Sequence, residues 1–275
     1  MREILIIGIG AGDPDHLTVQ AIEALRRVDV FFLLDKGAVK QDLAALRQEI
    51  LRRHTTGAYR AVEIADPERD RTAADYQAAV EDWRRRRADR FAELIRDELP
   101  DGGCGAFLVW GDPALYDSTL AILDDLRDRD VVEFDHQVIP GISSVAVLTA
   151  RHRIALNRIG RPVQITTGRR LADEGFPAGV DDLVVMLDAQ CAFTRFTAAD
   201  GIDIYWGAYL GTPDEILIAG PVHQVADRVV TARVEARRRR GWIMDTYLLR
   251  RTLVQTTGQH QKTGQQTRDD QVTDD

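Results

Sequence analysis

Ile4-Leu5-Ile6-Ile7 is an unbroken apolar run, and it stops at once in Gly8-Ile9-Gly10-Ala11-Gly12-Asp13-Pro14. A strand apolar on both faces belongs inside a parallel sheet covered on both sides, because a sheet with one wet face alternates. Glycines at alternate positions let the main chain pass close to a neighbouring surface or ligand. Pro14 suits the first turn of a helix, with Asp13 as its N-cap. Thr18, Ala21, Ile22, Leu25 and Val28 then share one helical face. Val30-Phe31-Phe32-Leu33-Leu34 makes a second buried strand, ending at Asp35. Strand, helix, strand in this order is a β-α-β unit and commits the chain to an α/β fold.

The layout recurs. Phe107-Leu108-Val109-Trp110 runs into Gly111-Asp112-Pro113-Ala114-Leu115-Tyr116-Asp117, and a helical pattern follows from Ser118 to Leu123. Gly111 has no Cβ and admits a ligand to the backbone. Pro113 withholds an N–H and helps end the strand. Asp112 is left at the strand tip, where open α/β sheets bind their ligands. Val131-Val132-Glu133-Phe134 is a further strand candidate. Val138 to Ser144, with Pro140-Gly141 at its centre, reads as a strand tip, a tight turn and a helix start capped by Ser143 or Ser144. A dinucleotide-binding fold would share the glycine-rich first turn and the acid after the second strand, a place Asp35 could fill. Its G-x-G-x-x-G fingerprint is broken here, because Asp13 stands at the third glycine.

Residues 36 to 100 read as mostly helical and highly charged, with loops at His54-Thr55-Thr56-Gly57 and Ala65-Asp66-Pro67. The pattern restarts near Asn157-Arg158-Ile159-Gly160. Strands follow at Val163 to Gly168 and Leu183 to Asp188. Asp203 to Glu215 is a strand running into a turn, and Glu215 to Gly220 continues it as a hairpin. Beyond Leu253 the chain turns mostly to Gln, Thr, Gly and Asp, which cannot bury a core. The expected organisation is an N-terminal α/β domain over 1–157 with a helical insert at 36–100, a C-terminal α/β domain over 158–253, and a disordered polar tail over 254–275.

Charge narrows the function. A net charge of −8 argues against nucleic acid as a partner. The runs Arg84–Arg87 and Arg237–Arg240 lie among acids in helical surroundings and read as solvated helix faces. Lysine occurs only at Lys36, Lys40 and Lys262, so the basic chemistry is arginine chemistry, suited to carboxylates. Cys104 and Cys191 stand far apart, and neither Cys-x-x-Cys nor His-Glu-x-x-His occurs, so no disulfide framework or metal site is expected. The first apolar run is too short for a signal peptide or a membrane span, and the expected location is cytoplasmic.

Taken in order, these motifs resemble the tetrapyrrole methylases. The family's opening G-x-G-P-G-D-P-x-x-L-T appears as Gly8 to Thr18, with Ala11 where most members have proline. Its G-D-P-x-x-Y/F appears as Gly111 to Tyr116, its P-G-I-[ST]-[SA] as Pro140 to Ser144, its Thr-Gly as Thr167-Gly168, and a further strand as Leu183 to Leu187. The resemblance covers residues 1 to 250. It implies a two-domain α/β fold, each domain a mixed or mostly parallel sheet flanked by helices, with S-adenosylmethionine as methyl donor in the cleft between them. It implies that the methyl donor contacts Ala11, Trp110, Gly111, Asp112, Tyr116, Ser143, Ser144, Leu187 and Leu210, and that the protein is a homodimer acting on a tetrapyrrole. The long insert after Leu34-Asp35-Lys36-Gly37, the sequence Trp110 to Thr119, and Ala208 to Glu215 resemble the branch that methylates C1 of precorrin-5 while releasing its acetyl group as acetate.

Methyl transfer to carbon needs alignment and a shielded pocket rather than a metal. Loss of the acetyl group also needs a base for water. Asp35, Asp13, Asp117 and His152 lie near expected strand ends and are the candidates, with His152 reading better as an ordinary partly buried residue. Arg151, Arg153 and Arg158 are candidates to pair with substrate carboxylates. Three alternatives stay open: a sibling methylase acting at another ring carbon, a nicotinamide- or flavin-dependent oxidoreductase, and a binding module without catalysis.

Overall fold

The computed structural model describes residues 1–35, 41–65, 67 and 75–252. Ten strands and seven helices run in the order β1 (Arg2–Gly8), α1 (Val19–Leu25), β2 (Val30–Asp35), α2 (Gln41–His54), β3 (Arg60–Ala65), α3 (Tyr76–Glu98), β4 (Cys104–Val109), α4 (Thr119–Asp128), β5 (Phe134–Ile139), α5 (Ser144–His152), β6 (Val163–Thr167), α6 (Gly168–Glu174), β7 (Asp182–Met186), β8 (Ile202–Ala208), β9 (Ile216–Pro221), α7 (Val222–Arg240) and β10 (Asp245–Arg251). They form two five-stranded sheets, ordered β3-β2-β4-β1-β5 and β6-β7-β10-β8-β9.

The first sheet is parallel throughout. Its faces follow from alternation along the apolar runs. Ile4, Ile6, Phe32 and Phe107 point to the side covered by α3 and α4, among Phe91, Ile95, Ile122 and Leu123. Leu5, Ile7, Phe31 and Leu108 point to the side covered by α1 and α2, among Ala21, Leu25, Ile50 and Leu51. From β1 the chain leaves toward β2, and from β4 it leaves toward β5 in the opposite direction. The carboxyl ends of these two adjacent strands therefore form a topological switch point, where open α/β sheets have their crevice.

The second sheet is mixed. Strands β6 and β7 are parallel, and β7, β10, β8 and β9 pair antiparallel, with β8 and β9 making the expected hairpin. One face packs with α6 and α7 around Leu183, Val185, Trp206, Tyr247 and Leu249. The other receives α5, whose Val145, Val147 and Leu148 pack with Val184 and Leu248. Helix α5 thus leaves the first sheet at β5 and seals against the second.

Some local readings change. The charged stretch after β2 contains a strand, β3, at the edge of the first sheet. The strand sought at Val131–Phe134 instead starts at Phe134, as edge strand β5, where polar Asp135 and Gln137 are tolerated. Strand β10, central in the second sheet, was not anticipated. Asp13 does cap a turn through the Asp15 N–H, but that turn is a single 3₁₀ turn at Pro14–His16, and α1 begins later, capped by Thr18. Of the run Arg84–Arg87, the first three are exposed and Arg87 is buried, donating to Ser118 Oγ at 2.6 Å. Residues 36–40 and the tail over 254–275 lie outside the described residues. Among those described, no helix is long and apolar enough to cross a membrane.

Candidate active site

At the switch point three glycines meet. A Cβ on Gly8 would lie 2.6 Å from the Gly141 nitrogen, and one on Gly141 would lie 2.1 Å from the Gly111 carbonyl oxygen. These two glycines exist so that backbone can pack on backbone. Gly111 differs. It has a φ of +72°, and a Cβ there would meet nothing nearer than 3.9 Å, so its open side faces free space. Gly10 and Gly111 bridge the two turns directly, the Gly111 N–H donating to Gly10 oxygen at 2.8 Å. Asp112 locks the third loop: one carboxylate oxygen accepts from the Gly141 N–H at 2.9 Å and the other from Ala114 N–H at 2.8 Å. Both of its oxygens are committed to backbone, so Asp112 shapes the site.

A cavity of about 320 Å³ opens beside these turns, between the two sheets. All nine residues that the family resemblance assigns to the methyl donor line it: Ala11, Trp110, Gly111, Asp112, Tyr116, Ser143, Ser144, Leu187 and Leu210. Ser143 also caps α5, accepting from the Ala146 N–H. The second sheet contributes Met186, Gly207 and Thr246, and the loops after β8 and before β10 contribute Tyr209, Ile243 and Met244, which make the wall largely apolar. Tyr116, Leu187 and Tyr209 have φ values of 53°, 55° and 49°. Left-handed backbone at non-glycine residues costs energy and collects where a site demands a fixed shape. The indole N–H groups of Trp110 and Trp242, both lining residues, are buried with no hydrogen-bond partner among the described residues. Unpaired buried donors beside an apolar cavity of this size fit a small ligand that carries both a flat apolar part and acceptors.

The base candidates separate. Asp117 lines the cavity and accepts from the Thr119 N–H at 2.7 Å through one oxygen. Asp13 does not line it and is occupied in capping. Asp35 ends β2 with its backbone paired to Ala65, and its side chain lies outside the described residues. His152 is half-buried at the far end of α5, where Nε2 lies 3.1 Å from the Trp206 carbonyl oxygen and the ring meets Tyr205 edge-on. Burial holds its pKa below the usual histidine range, against the Trp206 carbonyl and Glu215. It ties α5 to β8 and does not line the cavity. Arg151 pairs with Glu215 at 3.1 Å and Arg158 bonds the Arg251 carbonyl oxygen, while Arg153 is an exposed left-handed cap. None of the three lines the cavity.

Two charged lining residues escaped the sequence reading. Arg47 arrives from α2 and is 8% exposed. Asp245, at the start of β10, accepts from Trp206 Nε1 and Arg233 Nε, each at 3.0 Å. Arg233 continues to the Asp188 carbonyl oxygen, and Asp188 accepts from Tyr247 OH at 2.6 Å. Burial pushes the Asp245 carboxyl above the ordinary carboxylate range, opposed by Arg233 and Trp206.

Comparison with known proteins gives this arrangement a place. Residues 3–226 match the model of the tetrapyrrole (corrin/porphyrin) methylases. The chain is 51% identical over 252 residues to a precorrin-6A synthase [deacetylating] from Sinorhizobium sp., covering 91% of this chain and 96% of that protein. It superposes with a TM-score of 0.77 on the crystal structure of a cobalamin-synthesis-related protein, CobF, from Corynebacterium diphtheriae, at 42% identity over 91% of this chain and 98% of that one. The uroporphyrin-III C-methyltransferase of Thermus thermophilus, solved with S-adenosylhomocysteine, shares the fold at a TM-score of 0.57 and 18% identity, over 90% and 96% of the two chains. The match spans the glycine turns, the cavity and both sheets, and the chain belongs to the tetrapyrrole methylase family.

Proposed function

We propose that this protein is a precorrin-6A synthase of the deacetylating kind, an S-adenosylmethionine-dependent C-methyltransferase acting on precorrin-5. The observation that carries the reading is the gathering of all nine expected methyl-donor residues, from separate motifs, on one cavity between the sheets. Near-full-length identity to the Sinorhizobium enzyme supports the choice of substrate. A dinucleotide-dependent oxidoreductase loses its support with the family assignment.

S-adenosylmethionine, when bound, supplies an electrophilic methyl group. The protein's share is to fix two reactants in line and to keep water ordered. Gly111 gives the ligand access to the backbone, Leu187 and Leu210 wall the cavity, and Asp112 holds the turn that shapes it. Deacetylation proceeds as water adds to the acetyl carbonyl, the bond from that carbon to C1 breaks, and acetate leaves with the electron pair retained on C1. That carbon then takes the methyl group. We place the base for water at Asp117, the carboxylate among the original candidates that lines the cavity. Two domains meeting near Asn157, a cytoplasmic location and a homodimer complete the proposal.

Incubation of the purified protein with precorrin-5 and labelled S-adenosylmethionine, followed by product mass analysis and acetate assay, tests it. Methyl gain with acetate release is the expected result. Methyl gain with the acetyl group retained would assign a sibling reaction at another carbon.

A further inference from the structure

Among the described residues, Arg47 is a buried charge with no hydrogen-bond or ion-pair partner. The other buried arginines are bonded: Arg87 to Ser118 Oγ, and Arg233 to Asp245 and to the Asp188 carbonyl oxygen. Arg47, 8% exposed, makes no hydrogen bond and no ion pair among the described residues, yet it lines the cavity between the sheets. Asp117 acts on it through space, but one Asp117 oxygen is taken by the Thr119 N–H and neither is bonded to Arg47. An unpaired guanidinium is costly to bury, because it leaves water without regaining hydrogen bonds. A planar fork of donors at a cavity wall is the geometry that grips a carboxylate bidentately.

We propose that Arg47 is the carboxylate receptor of this cavity. The assignment rests on the methyltransferase reading, in which both reactants carry carboxylates: the amino-acid end of the methyl donor and the acid side chains of the macrocycle. Either would supply the missing partner, and the same variant distinguishes them.

The experiment compares wild type, Arg47→Met and Arg47→Lys. Melting temperatures are taken without ligand, affinities for S-adenosylhomocysteine and its decarboxylated analogue are measured, and kcat and KM are obtained for the tetrapyrrole. Removing an unpaired buried charge should raise the melting temperature of the free Arg47→Met protein, whereas a structural arginine would lower it. If the methyl donor's carboxylate is the partner, Arg47→Met weakens S-adenosylhomocysteine by about tenfold or more, the usual size for a charge-assisted pair, and leaves the decarboxylated analogue unchanged. If the macrocycle supplies the carboxylate, S-adenosylhomocysteine affinity holds and KM rises by about tenfold or more with kcat kept. In both cases Arg47→Lys recovers part of the loss. A folded Arg47→Met protein with wild-type affinity and wild-type KM overturns the assignment, and so does a lowered melting temperature with equal loss for both nucleoside probes. Wild type that neither binds S-adenosylhomocysteine nor turns over refutes the methyltransferase reading itself, and with it this assignment, before any variant is compared.

Discussion

Gly141 shows how little slack the site has. Its added Cβ would fall 2.1 Å from the Gly111 oxygen and 2.8 Å from the Gly8 Cα, and both obstacles are backbone that cannot rotate away. Gly141→Ala should therefore cost about 1–3 kcal/mol, as overpacking does, and thermal unfolding would register it as a drop of several degrees. Asp112 is the partner case in charge rather than volume. Its two oxygens accept from Gly141 and Ala114, and an asparagine can accept with only one. Asp112→Asn should then lower stability by about 1–3 kcal/mol through an unsatisfied N–H, with a smaller melting-temperature gain from S-adenosylhomocysteine. Asp117 belongs to the chemistry. Asp117→Asn should slow acetate release by about a hundredfold or more, the range for a lost general base, and leave S-adenosylhomocysteine affinity within about twofold. A collapse of acetate release in Asp35→Asn, with Asp117→Asn normal, would move the base to the end of β2.

Among the elements, α5 has the most to connect. Ser143 and Ser144 at its start line the cavity, Leu148 is fully buried against the second sheet, and His152 at its end reaches the Trp206 carbonyl oxygen. Leu148→Ala should cost about 2–5 kcal/mol and weaken S-adenosylhomocysteine as well, because the helix that positions the serines loosens. Calorimetry and a binding titration on that variant read both effects. His152 adds a pH dependence. Burial holds its folded pKa below the ordinary histidine value of about 6.5. The unfolded chain then binds more protons, so stability is full above that value and declines as pH falls through it toward the folded pKa. His152→Gln should flatten the melting temperature between about pH 7 and pH 5.5 relative to wild type. An unchanged slope would mean that other groups set it.

At the scale of the molecule, what the sequence made legible were the buried elements. Strands β1 and β4 are uninterrupted apolar runs cut off by glycine, and burial on both faces is the only environment that suits them. Strand β3, Arg60-Ala61-Val62-Glu63-Ile64-Ala65, and strand β5 lie at sheet edges, where polar side chains are allowed and the apolar signal thins. Strand β10 has its apolar centre at Tyr247-Leu248-Leu249 and owes its place to antiparallel partners far away in sequence. The family resemblance supplied the cavity's motif residues, and seven of the nine are, or sit beside, a glycine or a capping serine; Tyr116 and Leu187 carry no such local signal. Arg47 and Asp245 were not legible, since an arginine in a charged helix becomes special only when the fold buries it beside the cavity. On the proposed function the methyl donor sits between the two sheets. A crystal structure of the protein with S-adenosylhomocysteine tests that most directly. The ligand is expected against Gly111, Leu187 and Leu210 with the Trp110 or Trp242 indole N–H engaged; a ligand bound anywhere else, with this cavity left to solvent, would contradict the proposed function.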